Sequence, residues 1–395
     1  MTHFKKTNLS SFASAHYRAA NNWLNRYHPP TNASNLIKIR GLLEAFYHYA
    51  EVEDWGAAAQ IFLLESPPLL PNQLHQQLNI WGGFLASIEL CQKLIGKLDD
   101  DLDTIILNTW GNSCNEMSRF LEAIDLYESI VEKYQNDDNS EYLSTALIHL
   151  GSVYHDLGKY EEAKIYIEQG LEIADRIDDS SGQVAAFANL GNIQCSLGKA
   201  QTAIELYHNA LNLMEVTQDN ADESSLLGNI GGAYRELQDY QNAILYLEKG
   251  LERARNYQNP SSECAALLNL ANVYGDMEED ERAMVLYQEC LALSRTIKDP
   301  MTESEVLCNL AGTLVILNRI SEAVQYYEQC LQICSKIGNV YTAAFVYQNL
   351  AEVALFSDRP DLALHFYEKS SEISHHLGIP LIEDCKNFQQ KLLNR

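Results

Sequence analysis

The sequence predicts an all-α fold, a right-handed α-solenoid built from tandem antiparallel helix hairpins. The first observation is the triplet Asn189-Leu190-Gly191, which returns in similar form every 40 residues as far as Asn349. A fixed period of this length is typical of repeat solenoids. Only nine prolines occur in 395 residues, as expected of an almost wholly helical chain. The second observation is an alanine twelve residues after each triplet, at Ala203, Ala243, Ala283, Ala323 and Ala363.

The composition favours a cytoplasmic protein without a metal or a cofactor. No apolar run approaches the length of a transmembrane helix, and the first twenty residues lack the apolar core of a secretory signal. The nine cysteines are odd in number and scattered, without the spacing of a disulfide framework or of a metal site.

Charge is strongly asymmetric along the chain. The net charge is −26, but residues 1–43 contain six Lys and Arg and no acid, so the remainder carries −32. Such acidity argues against nucleic acid and against an anionic membrane as partners, since both need a basic surface. Acidity also keeps a long solenoid soluble, and it would suit a neutral-to-basic partner.

Residues 1–34 are predicted to form an N-terminal tail and one helix. The helix begins after a serine cap at Ser10 or Ser11 and ends before Pro29 and Pro30. Residues 35–98 predict two degenerate helical hairpins. The first starts with a helix near Asn35 and continues after Asp54; the second is broken at residues 82–83.

An acidic run, Asp99 to Asp103, precedes the regular repeats. A cation site would be one interpretation, but the run lacks the glycine and the closing glutamate of a calcium loop. The favoured interpretation is a helix N-terminus, where carboxylates meet the positive end of the helix dipole.

Residues 102–377 predict seven 40-residue repeats, each with a first helix (helix A), a short turn and a second helix (helix B). A glycine follows leucine in the turns at Gly158 and Gly198, where a helix ends with positive φ. Loops between repeats, such as Asn259-Pro260 and Asp299-Pro300, supply helix N-caps. Residues 378–395 are predicted to form a C-terminal capping helix.

Small and aromatic residues in the repeat indicate close helix packing. Glycine or alanine on helix A, at Gly151 and its equivalents, faces the alanine series on helix B, because two helices approach closely only where side chains are short. The tyrosines at helical spacing are interpreted as core, and Cys290 and Cys330 occupy a position that holds small residues in sister repeats.

This pattern resembles the tetratricopeptide repeat: a Leu-Gly pair, an aromatic residue three positions on, then alanine and an aromatic residue four beyond it. The 40-residue repeat is longer than the common repeat of 34 residues. In this it resembles the tetratricopeptide repeats of the spindle and G-protein-regulator scaffolds and of kinesin light chains. The amino-acid sequence of residues 15–62 resembles the repeat region of bacterial STAND-type signalling proteins, although no phosphate-binding GxxxxGK[ST] motif is present.

The resemblance implies a partner groove lined by helix A. Asparagine is a mediocre helix former, so its use inside a helix needs a reason. Its amide donates and accepts hydrogen bonds, which suits it to holding a peptide backbone; the alternative, equally open, is that these amides join adjacent helices. The candidate groove residues are Asn189, Asn192, Asn229, Arg235, Asn269, Asn272, Asn309 and Asn349.

The sequence favours a non-enzymatic interaction scaffold, since no catalytic motif accompanies the repeats. Along the predicted groove, the helix A side chains are polar or acidic in the earlier repeats and apolar at Ile316 and Phe356 in the last two. This pattern predicts a protein or peptide partner with an apolar segment. The apolar end would alternatively lie under the C-terminal cap. Self-association is possible but not indicated. Two further hypotheses stay open: a regulatory sensor for a STAND-like or protease effector, and a peptide-pheromone receptor of the Rap type.

Overall fold

The computed structural model describes residues 10–30, 33, 35–63, 73–80, 83–137, 139–217, 223–257, 259–297 and 299–377. Within these ranges the chain forms twenty α-helices and no β-strand. The predicted all-α repeat fold is therefore confirmed. The chain divides into two compact units, residues 1–220 (unit 1) and 221–395 (unit 2). The division falls inside the stretch predicted as seven repeats.

Unit 1 contains twelve described helices. They are α1 Ser11–Arg26, α2 Asn35–Lys38, α3 Arg40–Ala50, α4 Trp55–Phe62, α5 Leu74–Ile80, α6 Phe84–Leu94, α7 Asp100–Glu116, α8 Phe120–Tyr134, α9 Glu141–Asp156, α10 Tyr160–Arg176, α11 Ser180–Ser196 and α12 Ala200–Thr217.

Unit 2 contains eight described helices. They are α13 Glu223–Glu236, α14 Tyr240–Asn256, α15 Pro260–Asp276, α16 Asp280–Ile297, α17 Pro300–Ile316, α18 Ile320–Ile337, α19 Val340–Phe356 and α20 Pro360–Leu377.

From α7 onward the helices alternate as helix A and helix B, in seven pairs from α7–α8 to α19–α20. A three-residue turn joins the two helices of a pair, so the pair is antiparallel and packs along its length. Within each unit, a helix A also contacts the next helix A, as α9 does with α11 and α15 with α17. This second contact brings the helix A surfaces of successive repeats side by side.

The N-terminal region departs from prediction in one respect. The helix expected to run from Asn35 is two helices, α2 and α3, separated at Ile39. The Ile39 side chain is 1% exposed and packs in a core with Phe46 and Phe62, so the interruption places an apolar side chain inside. The serine cap of α1 is confirmed, because the Ser10 hydroxyl accepts from the Ala13 N–H at 3.1 Å. Residues 1–9 and the predicted cap at 378–395 lie outside the described residues.

Every turn inside a repeat ends helix A with one left-handed residue. Gly158 and Gly198 have φ of 74° and 70°, as predicted from the glycine. The equivalent residues in the other five repeats adopt the same conformation without being glycine, because the backbone bonds of the turn require it. In the second repeat those bonds run from Gly158 N–H to His155 O and from Lys159 N–H to Tyr154 O. The five residues are Ser118, Gln238, Glu278, Asn318 and Asp358.

Helix A and helix B touch through the predicted small residues. A Cβ atom on Gly151 would lie 2.4 Å from Ile167 Cγ1, and one on Gly231 would lie 2.5 Å from Leu247 Cγ. Both distances are shorter than real Cβ contacts, so a side chain at either position would force the facing helix B residue to shift. The helix B alanines are fully buried, and the helix B tyrosines predicted as core are at most 4% exposed: Tyr207, Tyr287, Tyr327 and Tyr367. The helix A tyrosines predicted as core are half-buried instead: Tyr154, Tyr234 and Tyr274.

Cysteines occupy similar contacts in unit 2. Cys290 and Cys330 are fully buried, and each thiol lies against a helix A carbonyl, at 3.3 Å from Cys264 O and 3.1 Å from Ser304 O. They therefore serve as small packing residues, as predicted. No helix among the described residues is long and apolar enough to cross a membrane.

Candidate interaction site

The eight predicted groove residues all lie on helix A of their repeats. Five of them form the first row, one per repeat from α11 to α19, and all five are half-buried: Asn189, Asn229, Asn269, Asn309 and Asn349. Asn192 and Asn272 lie one turn further along α11 and α15, and Arg235 lies near the end of α13. Asn189 and Asn192 belong to unit 1, and the other six belong to unit 2.

The asparagines one turn along accept hydrogen bonds from buried tyrosines of helix B. The Tyr207 hydroxyl donates to Asn192 Oδ1 at 2.8 Å, and the Tyr287 hydroxyl donates to Asn272 Oδ1 at 2.6 Å. Where helix B carries Ile167 in place of tyrosine, the facing helix A residue is serine. A buried hydroxyl needs a partner, so these two asparagines contribute to packing inside the repeat.

Four of the five first-row amides fall into two kinds. Asn309 Nδ2 donates to Asn272 Oδ1 of the preceding repeat at 3.2 Å, and Asn349 Nδ2 points to the Cys308 thiol at 3.9 Å. These two amides join neighbouring helices. For Asn189 and Asn269, the structure records no side-chain hydrogen bond to another described residue. Their half-exposed amides are available to a ligand.

Arg235 is held by a neighbouring repeat. Its guanidinium makes two bonds to Asp276, Nε to Oδ2 at 2.5 Å and Nη2 to Oδ1 at 3.1 Å. The hydrogen bond to Asp276 raises the pKa of Arg235. Because the carboxylate balances the guanidinium charge, the pair adds no net positive charge to the helix A surface.

The same inter-repeat contact recurs in unit 1. Asn115 Nδ2 donates to Asp156 Oδ2 at 3.1 Å, and His155 Nε2 lies 2.8 Å from Ser196 Oγ. Together with Arg235–Asp276, these bonds join the end of one helix A to the end of the next. We call this series the helix A ladder.

One part of the ladder has the same sequence of side chains as a catalytic triad, because His155 lies between Ser196 and Asp156. His155 Nδ1 lies 3.2 Å from Asp156 Oδ1. An acyl transfer site needs N–H donors beside the nucleophile to hold an oxyanion. The N–H groups of residues 197, 198 and 199, which follow Ser196, already donate to carbonyls of α11. The arrangement is therefore accounted for as part of the ladder.

A cavity of about 290 Å³ opens on the helix A surface of unit 2. It brings together four of the predicted residues: Arg235, Asn272, Asn309 and Asn349. Ile316, the predicted start of the apolar end, also lines it and is 70% exposed, while Phe356 in the next repeat is 77% exposed. Asp276 and Gly312 lie on the same helix A stripe as the predicted asparagines. The lining residues that the stripe does not include are Gly275, Asp280, Tyr287, Cys308 and Thr313.

Burial controls the chemistry of the cavity floor. It raises the pKa of the Cys308 thiol to about 12, and it also raises the pKa of the Tyr287 hydroxyl. Both groups are therefore neutral near pH 7, and Cys308 is not a reactive thiolate. The floor can offer hydrogen bonds and contact, but no nucleophile.

The acidic run is explained by its local bonds. Asp99 caps α7, with Oδ1 accepting from Leu102 N–H at 3.0 Å, and Asp103 accepts from Gly96 N–H at 3.1 Å. The predicted helix N-terminus is confirmed. In the part of the chain that the structure describes, no group of three or more His, Cys, Asp or Glu side chains is arranged to hold a metal.

Comparisons with known proteins agree with the repeat fold. The tetratricopeptide repeat family model matches residues 102–176, 183–256, 222–296 and 302–374, about two thirds of the chain. No curated protein matches the sequence.

Several solved structures are similar in fold. A Rap protein complexed with competence and sporulation factor is 13% identical, with a TM-score of 0.61 over 93% of this chain and 97% of that one. The apo form of RapI is 14% identical, with a TM-score of 0.54 over 69% of this chain and 98% of that one. A STAND signal transduction ATPase with a tetratricopeptide repeat sensor, from Pyrococcus horikoshii, is 15% identical, with a TM-score of 0.56 over 97% of this chain and 56% of that one.

Proposed function

This chain belongs to the tetratricopeptide repeat family, and we propose that it is a non-enzymatic scaffold that binds a segment of a partner protein. The proposed binding surface is the helix A surface of unit 2, centred on the cavity described above. The observation that carries the proposal is the convergence of four predicted groove residues on that one cavity. Concave sites with a few converging polar groups are where proteins most often bind ligands.

The partner segment is proposed to be neutral to basic, with an apolar part. Acids outnumber bases by 54 to 28 in this chain, so a basic segment is attracted over distance. Ile316 and Phe356 are exposed large apolar side chains on equivalent positions of adjacent repeats. Covering them with an apolar side chain of the partner would remove both from water and stabilise the complex.

A pair of matched substitutions tests this proposal. A partner would first be identified by affinity purification and mass spectrometry, and its binding segment made as a labelled peptide. Ile316→Gln is expected to weaken peptide binding at least tenfold, because it removes an apolar contact at the cavity. The control is Val285→Gln, which alters a side chain of similar exposure (59%) on α16, outside the cavity lining.

Neither substitution removes a buried contact, so both variants are expected to melt within about 2 °C of the wild type. Fluorescence anisotropy measures the affinity and circular dichroism the melting temperature. Equal affinities for the two variants would contradict binding at the unit 2 cavity.

A second candidate function is regulation by a short peptide. It is favoured by the fold likeness to the Rap protein complexed with competence and sporulation factor, which spans nearly the full length of both chains. It predicts that a short peptide binds the purified chain and lowers its radius of gyration in small-angle scattering. The STAND sensor likeness favours the related idea of a module for a separate ATPase or protease effector, which predicts co-purification with that effector.

A further inference from the structure

The unit 2 cavity lies where one repeat carries two residues that its sister repeats lack. Gly275 occupies the position that holds Asn115, His155, Cys195 and Arg235 in the earlier repeats, and the next repeat carries Val315 there. A Cβ atom on Gly275 would meet nothing within 4 Å. Close packing therefore does not require Gly275, unlike Gly231. Because Gly275 has no side chain, the ladder has no bond from this position to Ile316 of the next helix A.

Asp280 is the second departure. The first residue of helix B is aromatic or apolar in the other repeats: Phe120, Tyr160, Ala200, Tyr240, Ile320 and Pro360. The short aspartate clears the space that a tyrosine would fill and places a carboxylate on the cavity wall. An acid is also favourable in the first turn of a helix, so the helix dipole is the competing explanation for Asp280.

The charges and hydrogen-bond groups of the lining leave a surplus of acceptors. Arg235 and Asp276 cancel each other, and the structure records no bond from the half-buried Asp280 carboxylate to another described residue. Asn309 and Asn349 use their Nδ2 groups on neighbouring residues, so each keeps an amide oxygen as an acceptor. The lining thus has a net charge of about −1 and complements a group that only donates.

We propose that this cavity is a side-chain pocket that takes one lysine or arginine side chain of the bound partner segment. Both side chains are long, carry only donors and suit a pocket of about 290 Å³ with one uncompensated carboxylate. Gly275 and Asp280 determine this specificity, Gly275 by leaving the space and Asp280 by supplying the charge. The inference rests on the proposed function and adds to it the identity of one partner residue.

The test uses the full chain and a positional-scanning library of decapeptides, in which one position is fixed to each amino acid in turn. The wild type is expected to retain peptides with a fixed lysine or arginine at least tenfold better than those with a fixed alanine. Gly275→Val and Asp280→Tyr, which restore side chains present in sister repeats, are expected to abolish this preference. Asp280→Asn, which keeps the size but removes the charge, is expected to reduce it severalfold.

Gly232→Ala is the control. Gly232 is another open helix A glycine, with nothing within 4 Å of its Cβ position, but it does not line the cavity. This variant should keep the cation preference, and circular dichroism should show all four variants folded. A preference that survives in both Gly275→Val and Asp280→Tyr overturns the pocket but leaves the scaffold function standing. A wild type that retains no peptide at all overturns both.

If Asp280 acts only through the helix dipole, Asp280→Asn lowers the melting temperature without changing the cation preference. That outcome also overturns the pocket.

Discussion

Individual asparagines on the helix A surface have different partners. Asn272 Oδ1 accepts from both the buried Tyr287 hydroxyl and Asn309 Nδ2, whereas Asn269 has no recorded side-chain bond to another described residue. The residue type is the same, but the two side chains lie one helical turn apart. Asn272 faces the Tyr287 hydroxyl of helix B and the amide of Asn309, and no such partner is recorded for Asn269.

We predict opposite effects for these two positions. Asn272→Ala should lower the free energy of unfolding by about 1–3 kcal/mol, because the buried Tyr287 hydroxyl loses its acceptor. Asn269→Ala should leave it unchanged or raise it by up to about 0.5 kcal/mol, since alanine is the better helix former. Urea unfolding followed by circular dichroism measures both. Tyr287→Phe added to Asn272→Ala should restore much of the loss, and equal losses for the two single variants would contradict the distinction.

His149 occupies the first-row position of the second repeat, where it is half-buried with Nδ1 2.8 Å from Asn108 Oδ1. Burial lowers its pKa to about 4, from an ordinary value near 6.5. The folded protein therefore keeps His149 neutral, while the unfolded chain binds a proton below pH 6.5. Stability from this residue is complete above pH 6.5 and is lost as the pH falls towards 4.

His149→Asn, which introduces the residue of the sister repeats, should remove this dependence. The wild type should lose about 2 kcal/mol more than the variant between pH 7 and pH 4.5, measured by urea unfolding at each pH. The exposed His365 offers a control, since His365→Asn should follow the wild type. Parallel pH profiles for the wild type and His149→Asn would show that burial of His149 is not linked to protonation.

At the scale of elements, the turn after helix A is the same in all seven repeats although its sequence is not. The left-handed residue is glycine in two repeats, but it is Gln238 with φ of 59° and Glu278 with φ of 61° in two others. A non-glycine residue in this conformation costs about 1 kcal/mol or more, which the bonds of the turn and the packing of both helices offset.

Gln238→Gly should therefore raise the free energy of unfolding by up to about 1 kcal/mol, because it relieves the strain at this turn. Gly198→Ala, the reverse change at an equivalent turn, should lower it by a similar amount. Denaturant unfolding of the two variants and the wild type measures both shifts. A loss of stability in Gln238→Gly would mean that the glutamine side chain contributes more than its backbone strain costs.

At the scale of the whole molecule, the asparagines of helix A take part in the packing of the repeats. Asn192 and Asn272 bond to helix B, whereas Asn309 and Asn349 bond to the neighbouring helix A. The net charge of −26 makes the surface repel anionic ligands at a distance, whatever the details of the cavity. The proposed pocket for a cationic side chain agrees with this field, so long-range attraction and local recognition favour the same class of partner.

Periodicity alone determined the helices, the turns, the buried tyrosines and the side of each repeat that faces away from helix B. These features depend on residues close in sequence, so each 40-residue repeat forms the same helices and the same turn. Two features were not predicted: the break at Ile39, which depends on burial of the side chain, and the left-handed conformation of Gln238, which depends on the hydrogen bonds of the turn.

Tertiary structure alone decided what the groove residues do. Arg235 is neutralised by Asp276, 41 residues away, and Asn309 bonds to Asn272, 37 residues away. The cavity likewise arises where Gly275 and Asp280 lie beside Ile316 of the following repeat. A repeat pattern shows which residue types recur, but the free charges, amides and space at the surface depend on which side chains of neighbouring repeats come into contact.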